Sequence, residues 1–307
     1  MASTQFTLFT LGCGSAKPAP PHQPSSTVLA IRNNLYMIDC GENAQSSFAA
    51  LRLKRTRLSH IFITHLHGDH VYGLPGLIDT LALSGCTQEI TIHTFREGAD
   101  ILYRIFKFFS PNLPLKISFN IIEYADAHIF DDDNVSVCTV ALDHRIPDVG
   151  FIFEEREHPR HIIPEMIDRY AIPYSEINNI KRGADFHTPE GIIIPNAELT
   201  TPPAPPVSYA HISDTAYIPD LAQRIGPVDL LMHETTYLND REKDAAARGH
   251  STAAQAAMTA RDAGAKALLT GHYSSSYRDL LPFLKEAREI FPNVILNKEL
   301  LTLSLPL

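Results

Sequence analysis

Between positions 65 and 70 the chain reads His-Leu-His-Gly-Asp-His, three imidazoles and one carboxylate within six residues. Neutral imidazole nitrogen and carboxylate oxygen are the donors that borderline divalent cations such as zinc take, and few other uses crowd so many of them into one short loop. His65 and His67 stand two apart and can point the same way, while Gly68 is expected to let the backbone turn sharply and bring Asp69 and His70 round toward a second centre. One loop can therefore feed two metals. The competing reading is a polar loop that is rich in histidine by accident, and the density of the motif argues against it.

The stretch before this cluster, Leu58 to Thr64, is apolar with a β-branched end and reads as a buried strand, so the cluster sits where a strand ends. Beyond it Leu74, Leu77, Ile78, Leu81 and Ala82 recur at helical spacing, which puts His70 close to a helix start. The same arrangement returns further on. A strand-like run at 135–141 ends in Leu142-Asp143-His144, one at 207–212 ends in Ser213-Asp214, one at 230–232 ends in His233-Glu234, and one at 267–269 ends in Thr270-Gly271-His272. Side chains at the same end of neighbouring strands can converge on one edge of a sheet, as sites in layered α/β proteins do.

The remaining elements follow from the same patterns. Residues 6–11 predict a first strand, and Gly12-Cys13-Gly14-Ser15 after it has only half of a dinucleotide fingerprint. We expect a tight turn able to approach a substrate phosphate, not a nucleotide site. Residues 26–31 and 35–38 predict a hairpin closed by Asn33-Asn34, a helix follows at about 45–53, and further strands are expected at 90–94 and 115–122. Residues 154–206 break the rhythm, being polar and rich in proline toward their end, and they separate His144 from Asp214. Two short helices at 164–170 and 175–181, the second stopped by Gly183, and a turn at Pro189-Glu190-Gly191 are expected there. So long a connection points to function. The chain 1–307 is thus expected to be a single domain with 154–206 as an inserted substrate-binding arm.

Hydrophobic residues make up 44% and charged ones 20%, which excludes a disordered chain. No apolar run reaches membrane-spanning length, and the first residues, Met1 to Phe6, lack a basic region followed by an apolar core, so a cytoplasmic location is expected. Cys13, Cys40, Cys86 and Cys138 are widely scattered, which argues against a zinc knuckle or a disulfide framework and for reduced, mostly buried thiols. The formal charge of −9 offers no general attraction to a polyanion. Nucleic-acid contact would need local patches, for which Lys54, Arg55 and Arg57, Arg156 and Arg160, and Lys181 and Arg182 are candidates, although each alone is an ordinary surface charge.

Taken together, HLHGDH, the isolated His144 in LDHR, Asp214 in ISDT and His272 in TGH resemble the metallo-β-lactamase superfamily, whose fold is a four-layer αββα sandwich with metals at one edge. More narrowly, LGCGSAKP at 11–18, DCGE at 39–42, HRIPDVGF at 144–151, HETT at 233–236 and GHSTAAQAA at 249–257 resemble the ribonuclease Z family, which removes the 3′ trailer from precursor tRNA. The resemblance covers nearly the whole chain. It implies two zinc ions, one held by His65, His67 and His144, the other by Asp69, His70 and His272, with Asp214 bridging. It also implies precursor tRNA as partner and a homodimer in which one subunit's arm grips the tRNA cut by the other. The chain departs from the family pattern at Asn43-Ala44, at Ser276 where an arginine is usual, and at Ala171-Ile172-Pro173-Tyr174, where the arm of many bacterial members carries a glycine-rich Gly-Pro signature.

Within that resemblance Asp69 is the expected proton acceptor that orients the attacking water, and His250, oriented by Glu234, the expected general acid. The alternative for His250 is a cap on the helix that begins near Thr252, a task Ser251 could perform without it. Rival functions are a phosphodiesterase for small or cyclic nucleotides, a thioester or lactam hydrolase of the same fold, and a non-catalytic RNA-binding protein.

Overall fold

In the computed structural model, which describes residues 6–307, two seven-stranded sheets carry the chain. Residues 1–5, read above for a leader, lie outside the described residues. The first sheet forms from β1 (Phe6–Gly12), β2 (Ser26–Ile31), β3 (Asn34–Ile38), β4 (Leu58–Phe62), β5 (Glu89–Thr94) and β6 (Lys116–Ile121), and the second opens with β7 (His128–Asp131), β8 (Val135–Ala141) and β9 (Val149–Glu155). Four two-residue strands follow, β10 (His161–Ile162), β11 (Phe186–His187), β12 (Ile193–Ile194) and β13 (Thr200–Thr201). The second sheet is completed by β14 (Ser208–Ile212), β15 (Leu230–Glu234), β16 (Leu268–Gly271) and β17 (Val294–Ile295), while β18 (Thr302–Leu305) returns to pair antiparallel with β1. The orders are β18-β1-β2-β3-β4-β5-β6 and β17-β16-β15-β14-β9-β8-β7.

Period-two alternation explains the layers. Along β2, β3 and β4, Leu29, Tyr36, Ile38 and Phe62 point toward the other sheet, where they meet Phe151, Phe153, Tyr209 and Met232. Their neighbours Val28, Leu35, Met37 and Ile61 point the other way, onto the helices α1 (Ala44–Ala50), α2 (Gly68–Val71), α3 (Leu74–Leu83) and α4 (Arg96–Phe109). Each such fully buried side chain contributes about 1.5–3 kcal/mol. The second sheet is covered in turn by α8 (Leu221–Ile225), α10 (Ala253–Ala263) and α11 (Leu281–Arg288), with α9 (Glu242–Arg248) leading into α10; α5 (Pro164–Arg169), α6 (Tyr174–Lys181) and α7 (Asn196–Leu199) precede them in the chain. The architecture is the four-layer αββα sandwich expected of the metallo-β-lactamase fold.

Two compact units emerge, one running to Glu154 and resuming at Val207–Leu307, the other Glu155–Pro206. The second unit has its own small core of Ile172, Ile180, Phe186, Ile194 and Leu199. Gly183 and Gly191 have φ of +105° and +83°, so each ends its segment in a conformation that favours glycine.

Several boundaries differ from those expected. The β2–β3 hairpin turns on Arg32 and Asn33, with Ile31 opposite Asn34, so Asn34 opens the strand instead of closing the turn. Arg32 takes the left-handed φ of +52° that the two-residue turn demands. Helix α1 stops at Ala50, three residues early, and Arg52 is also left-handed. The 14-residue helix α4 was not expected, although Ala99, Leu102 and Phe106 mark its buried face at helical spacing. Strands β7, β9 and β18 were also missed.

Candidate metal centre

The strand β4 ends at Phe62 and hands the chain to a loop whose last residues begin α2, so His65 and His67 precede the helix while Asp69 and His70 lie within its first turn. Gly68 is itself helical, and the expected sharp turn is not its role. A Cβ there would lie 2.1 Å from the Tyr72 ring, so a larger residue would have to displace that exposed side chain. His144 follows β8, Asp214 follows β14, Glu234 closes β15 and His272 follows β16 with φ of +58°. Left-handed backbone on a non-glycine residue costs about 1–3 kcal/mol and persists where surrounding structure imposes it.

Two donor sets share one carboxylate. His65 Nε2 and His144 Nε2 lie 3.1 and 3.2 Å from His67 Nδ1, and 3.8 and 3.9 Å from Asp214 Oδ2. On the other side His70 Nε2 and His272 Nε2 lie 3.4 and 3.5 Å from Asp69 Oδ2, and 3.6 and 3.1 Å from Asp214 Oδ1. Asp214 thus turns one oxygen to each set.

The far sides of the rings decide which nitrogen is free. His70 Nδ1–H donates to Asp39 Oδ2 at 2.7 Å, and Asp39 also accepts from the Thr64 amide and hydroxyl. His144 Nδ1–H donates to the Gly249 carbonyl at 2.8 Å. Thr236 Oγ1 gives its proton to Glu234 and so accepts from His272 Nδ1–H at 2.9 Å. In neutral rings held this way, Nε2 carries a lone pair pointing inward. Asp148 Oδ2 stands 3.1 Å from His65 Nδ1 without hydrogen-bond geometry, and Thr64 Oγ1 reaches the same nitrogen at 3.0 Å.

These residues fit a pair of borderline cations. Buried His70 Nε2, His272 Nε2 and Asp214 Oδ1 have no hydrogen-bond partner, an arrangement that costs free energy unless something between them accepts their lone pairs. Ligands about 2.0–2.1 Å from a tetrahedral zinc lie roughly 3.3 Å apart, close to the spacings within the His65, His67, His144 set. Burial, then the neighbouring histidines, hold His65 well below its ordinary value, and burial lowers His67 and His144, so these rings present lone pairs and not protons.

On the rim, His250 Nδ1 lies 3.1 Å from Glu234 Oε1. Burial alone would lower His250, but the Glu234 carboxylate overrides it and pushes His250 up to about 9. Burial would raise Glu234, yet His250 and the Thr236 hydroxyl hold it down at about 2; it also accepts from the amides of Thr215, Thr236 and Ser251. The helix after His250 is capped without it. Thr252 is the N-cap and forms a capping box with Gln255, while Ser251 donates to the Thr215 carbonyl. His233 is buried, with Nδ1 donating to the Glu234 carbonyl at 2.8 Å.

A cavity of about 510 Å³ opens over His67, Asp69, Asp214 and His250, and its wall carries Arg145 and Arg248, two cations the sequence reading did not single out. The basic residues it did single out are not among those lining this cavity. Asp39, Thr64, Asp148 and Thr236 were also missed. For Asp39 a signal existed: it ends the apolar run of β3 just as the other acids end theirs. The turn after β1 reaches the cluster itself, with the Ala16 amide donating to Asp69 Oδ2 at 2.7 Å. Ser276, at the place of the usual arginine, accepts from Arg241.

Comparison with known proteins agrees with this architecture. A model described as Beta-lactamase superfamily domain matches residues 204–273, and one described as Anti-Pycsar protein Apyc1 matches residues 6–94. The chain is 46% identical to a ribonuclease Z of Bacteroides thetaiotaomicron over 96% of its length and 94% of that protein. It is also 46% identical to a ribonuclease Z of Parabacteroides distasonis, over 97% of its length and 99% of that protein. The crystal structure of the short form of human tRNase Z superposes with a TM-score of 0.72 at 25% identity, covering 98% of this chain and all of that one.

Proposed function

This chain belongs to the ribonuclease Z family, and from that premise we propose that it is a two-zinc endoribonuclease that cuts the 3′ trailer from precursor tRNA, leaving a 3′-OH on the tRNA body. The observation that carries the reading is Asp214, whose two oxygens face two separate donor sets beside the His250–Glu234 pair. His65, His67 and His144 would hold one zinc, Asp69, His70 and His272 the other, and Asp214 both. Two such ions, when bound, supply Lewis acidity at a phosphoryl group and readiness of water for in-line attack.

The protein groups supply positioning and protons. Asp69, steadied by the Ala16 amide, accepts a hydrogen bond from the attacking water and takes its proton. As the water oxygen bonds to phosphorus, the bond to the 3′ oxygen breaks, and His250 gives its proton to that poor leaving group. Glu234 keeps His250 charged and oriented. Arg145 and Arg248 bring positive charge to the phosphodiester. Residues 154–206 act as the arm that grips the tRNA, across a homodimer, and the enzyme works in the cytoplasm; among the described residues no helix is long and apolar enough to cross a membrane.

The decisive test is incubation of the zinc-loaded protein with precursor tRNA and mapping of the cut. We expect one cleavage at the 3′ end of the acceptor stem with a 3′-OH on the tRNA. Hydrolysis of small nucleotide diesters with precursor tRNA left intact would transfer the site to a different phosphodiesterase, and zinc binding without hydrolysis of either would leave a binding protein.

A further inference from the structure

A second cluster of dissimilar donors lies outside the centre just described. Cys13 Sγ, His22 Nδ1 and a Glu299 carboxylate oxygen all lie within 4.8 Å of one another. They come from three places in the chain: the residue after β1, the proline-rich loop beyond it, and the segment leading into β18. None belongs to either donor set around Asp214. Cys13 is buried, and the side chains of His22 and Glu299 are 17% and 16% exposed.

Cys13 and His22 hydrogen-bond to the Glu299 carboxylate, at spacings close to those of metal ligands. Cys13 Sγ lies 3.7 Å from His22 Nδ1 and 3.4 Å from Glu299 Oε1, and His22 Nδ1 lies 3.0 Å from Glu299 Oε2. A tetrahedral zinc with Zn–S of about 2.3 Å and Zn–N or Zn–O of about 2.0–2.1 Å spaces sulfur from nitrogen or oxygen by roughly 3.5 Å, and nitrogen from oxygen by roughly 3.3 Å. The three side chains need shift by only a few tenths of an ångström.

The backbone holds them there. A Cβ at Gly14 would meet His22 Cβ at 2.9 Å, so only glycine lets the loop fold this close to the end of β1. The Gln23 amide donates to Glu299 Oε1 at 2.9 Å and fixes the carboxylate. A thiolate, a carboxylate and a neutral imidazole sum to the charge that a divalent cation cancels. Of the three donors His22 also lines a cavity of about 470 Å³, together with Lys17, Tyr273 and Arg278.

We propose that Cys13, His22 and Glu299 form a third, thiolate-containing site for a borderline divalent cation such as zinc. On binding, the Cys13 S–H bond breaks, its proton leaves to solvent, and the sulfur lone pair goes to the metal. The filled site ties the loop 13–22 to the C-terminal segment, and that loop carries the Ala16 amide that steadies Asp69. The site stands whether or not the chain cleaves tRNA.

Cobalt reports on it selectively, because the centre around Asp214 offers only nitrogen and oxygen donors. Full-length protein, stripped by chelator and reloaded to saturation with Co2+, should show a near-ultraviolet cobalt–thiolate charge-transfer band. Cys13→Ser should lose that band and one equivalent of bound metal, while keeping the visible bands of the nitrogen–oxygen centre. His22→Ala alters a partly exposed side chain and spares the core. It should retain the fold and need at least tenfold more cobalt to develop the band. A folded, cobalt-saturated protein without the band overturns the proposal, as does a band that survives Cys13→Ser. If Cys13→Ser does not fold, an unchanged cobalt titration in His22→Ala overturns it equally.

Discussion

Asp214 and His250 sit 3.9 Å apart and do different things, which makes them separable by experiment. Because Asp214 faces both donor sets, Asp214→Ala should lower zinc at the centre and cut precursor tRNA cleavage more than any single histidine replacement. Retention of both metal content and activity in that variant would sink the ligand assignment. His250→Ala should keep the zinc and slow cleavage by about 10²–10⁴. The loss should shrink on a nitrophenyl diester, whose leaving group needs no proton; an equal loss on both substrates would mark His250 as structural. The pH dependence has a definite sign. Glu234 raises His250, so the imidazolium donor persists through neutral pH and is lost as pH rises. Bound cations push the opposite way, so the descending limb of kcat should fall between the ordinary histidine value of 6.5 and about 9. That limb should vanish in His250→Ala; a limb that remains belongs to another group.

Strand ends made the centre legible. An apolar run that stops at a histidine or acid is visible in one dimension, and β4, β8, β14, β15 and β16 each read that way. Support from the far side of each ring is not. The Gly249 carbonyl under His144 is 105 residues away in the chain, and nothing local marks a carbonyl as an acceptor. Helix α4 escaped because Ile101, Tyr103, Phe108 and Phe109 are apolar or aromatic yet exposed, which blurs the stripe marked by Ala99, Leu102 and Phe106. The start of α10 shows how local chemistry can decide a boundary. Thr252 accepts from the Gln255 amide while Gln255 Oε1 accepts from the Thr252 amide at 3.0 Å. Thr252→Ala should therefore cost about 0.5–2 kcal/mol, read as a lower melting temperature with zinc content unchanged. Because the two bonds form one box, Gln255→Ala combined with it should cost less than the sum of the singles. Strict additivity would show that the two caps act independently.

At the scale of the whole molecule, the centre is too small to choose a substrate as large as tRNA, so selectivity has to arise from surface remote from the reacting phosphate. The unit Glu155–Pro206 is the long excursion from the sandwich and has a core of its own. Simple charge does not equip it for RNA, since it carries five Lys and Arg against eight Asp and Glu. If it grips tRNA as proposed, that grip would draw on stacking and hydrogen bonding, for which Tyr174 at 88% exposure offers a ring, and the salt dependence of binding should be shallow. Removal of the excursion takes only the last residue of β9 and leaves the pairing of Glu154 with Ser208 across β9 and β14. Replacing residues 155–206 by a short Gly/Ser linker should therefore preserve zinc and hydrolysis of a nitrophenyl diester. It should raise KM for precursor tRNA strongly, since it deletes binding far from the bond that breaks. Loss of both activities with zinc and fold retained would make the excursion part of the active site. No change in either would mean that tRNA is held elsewhere or is not the substrate, and the small-nucleotide phosphodiesterase would then be the better reading.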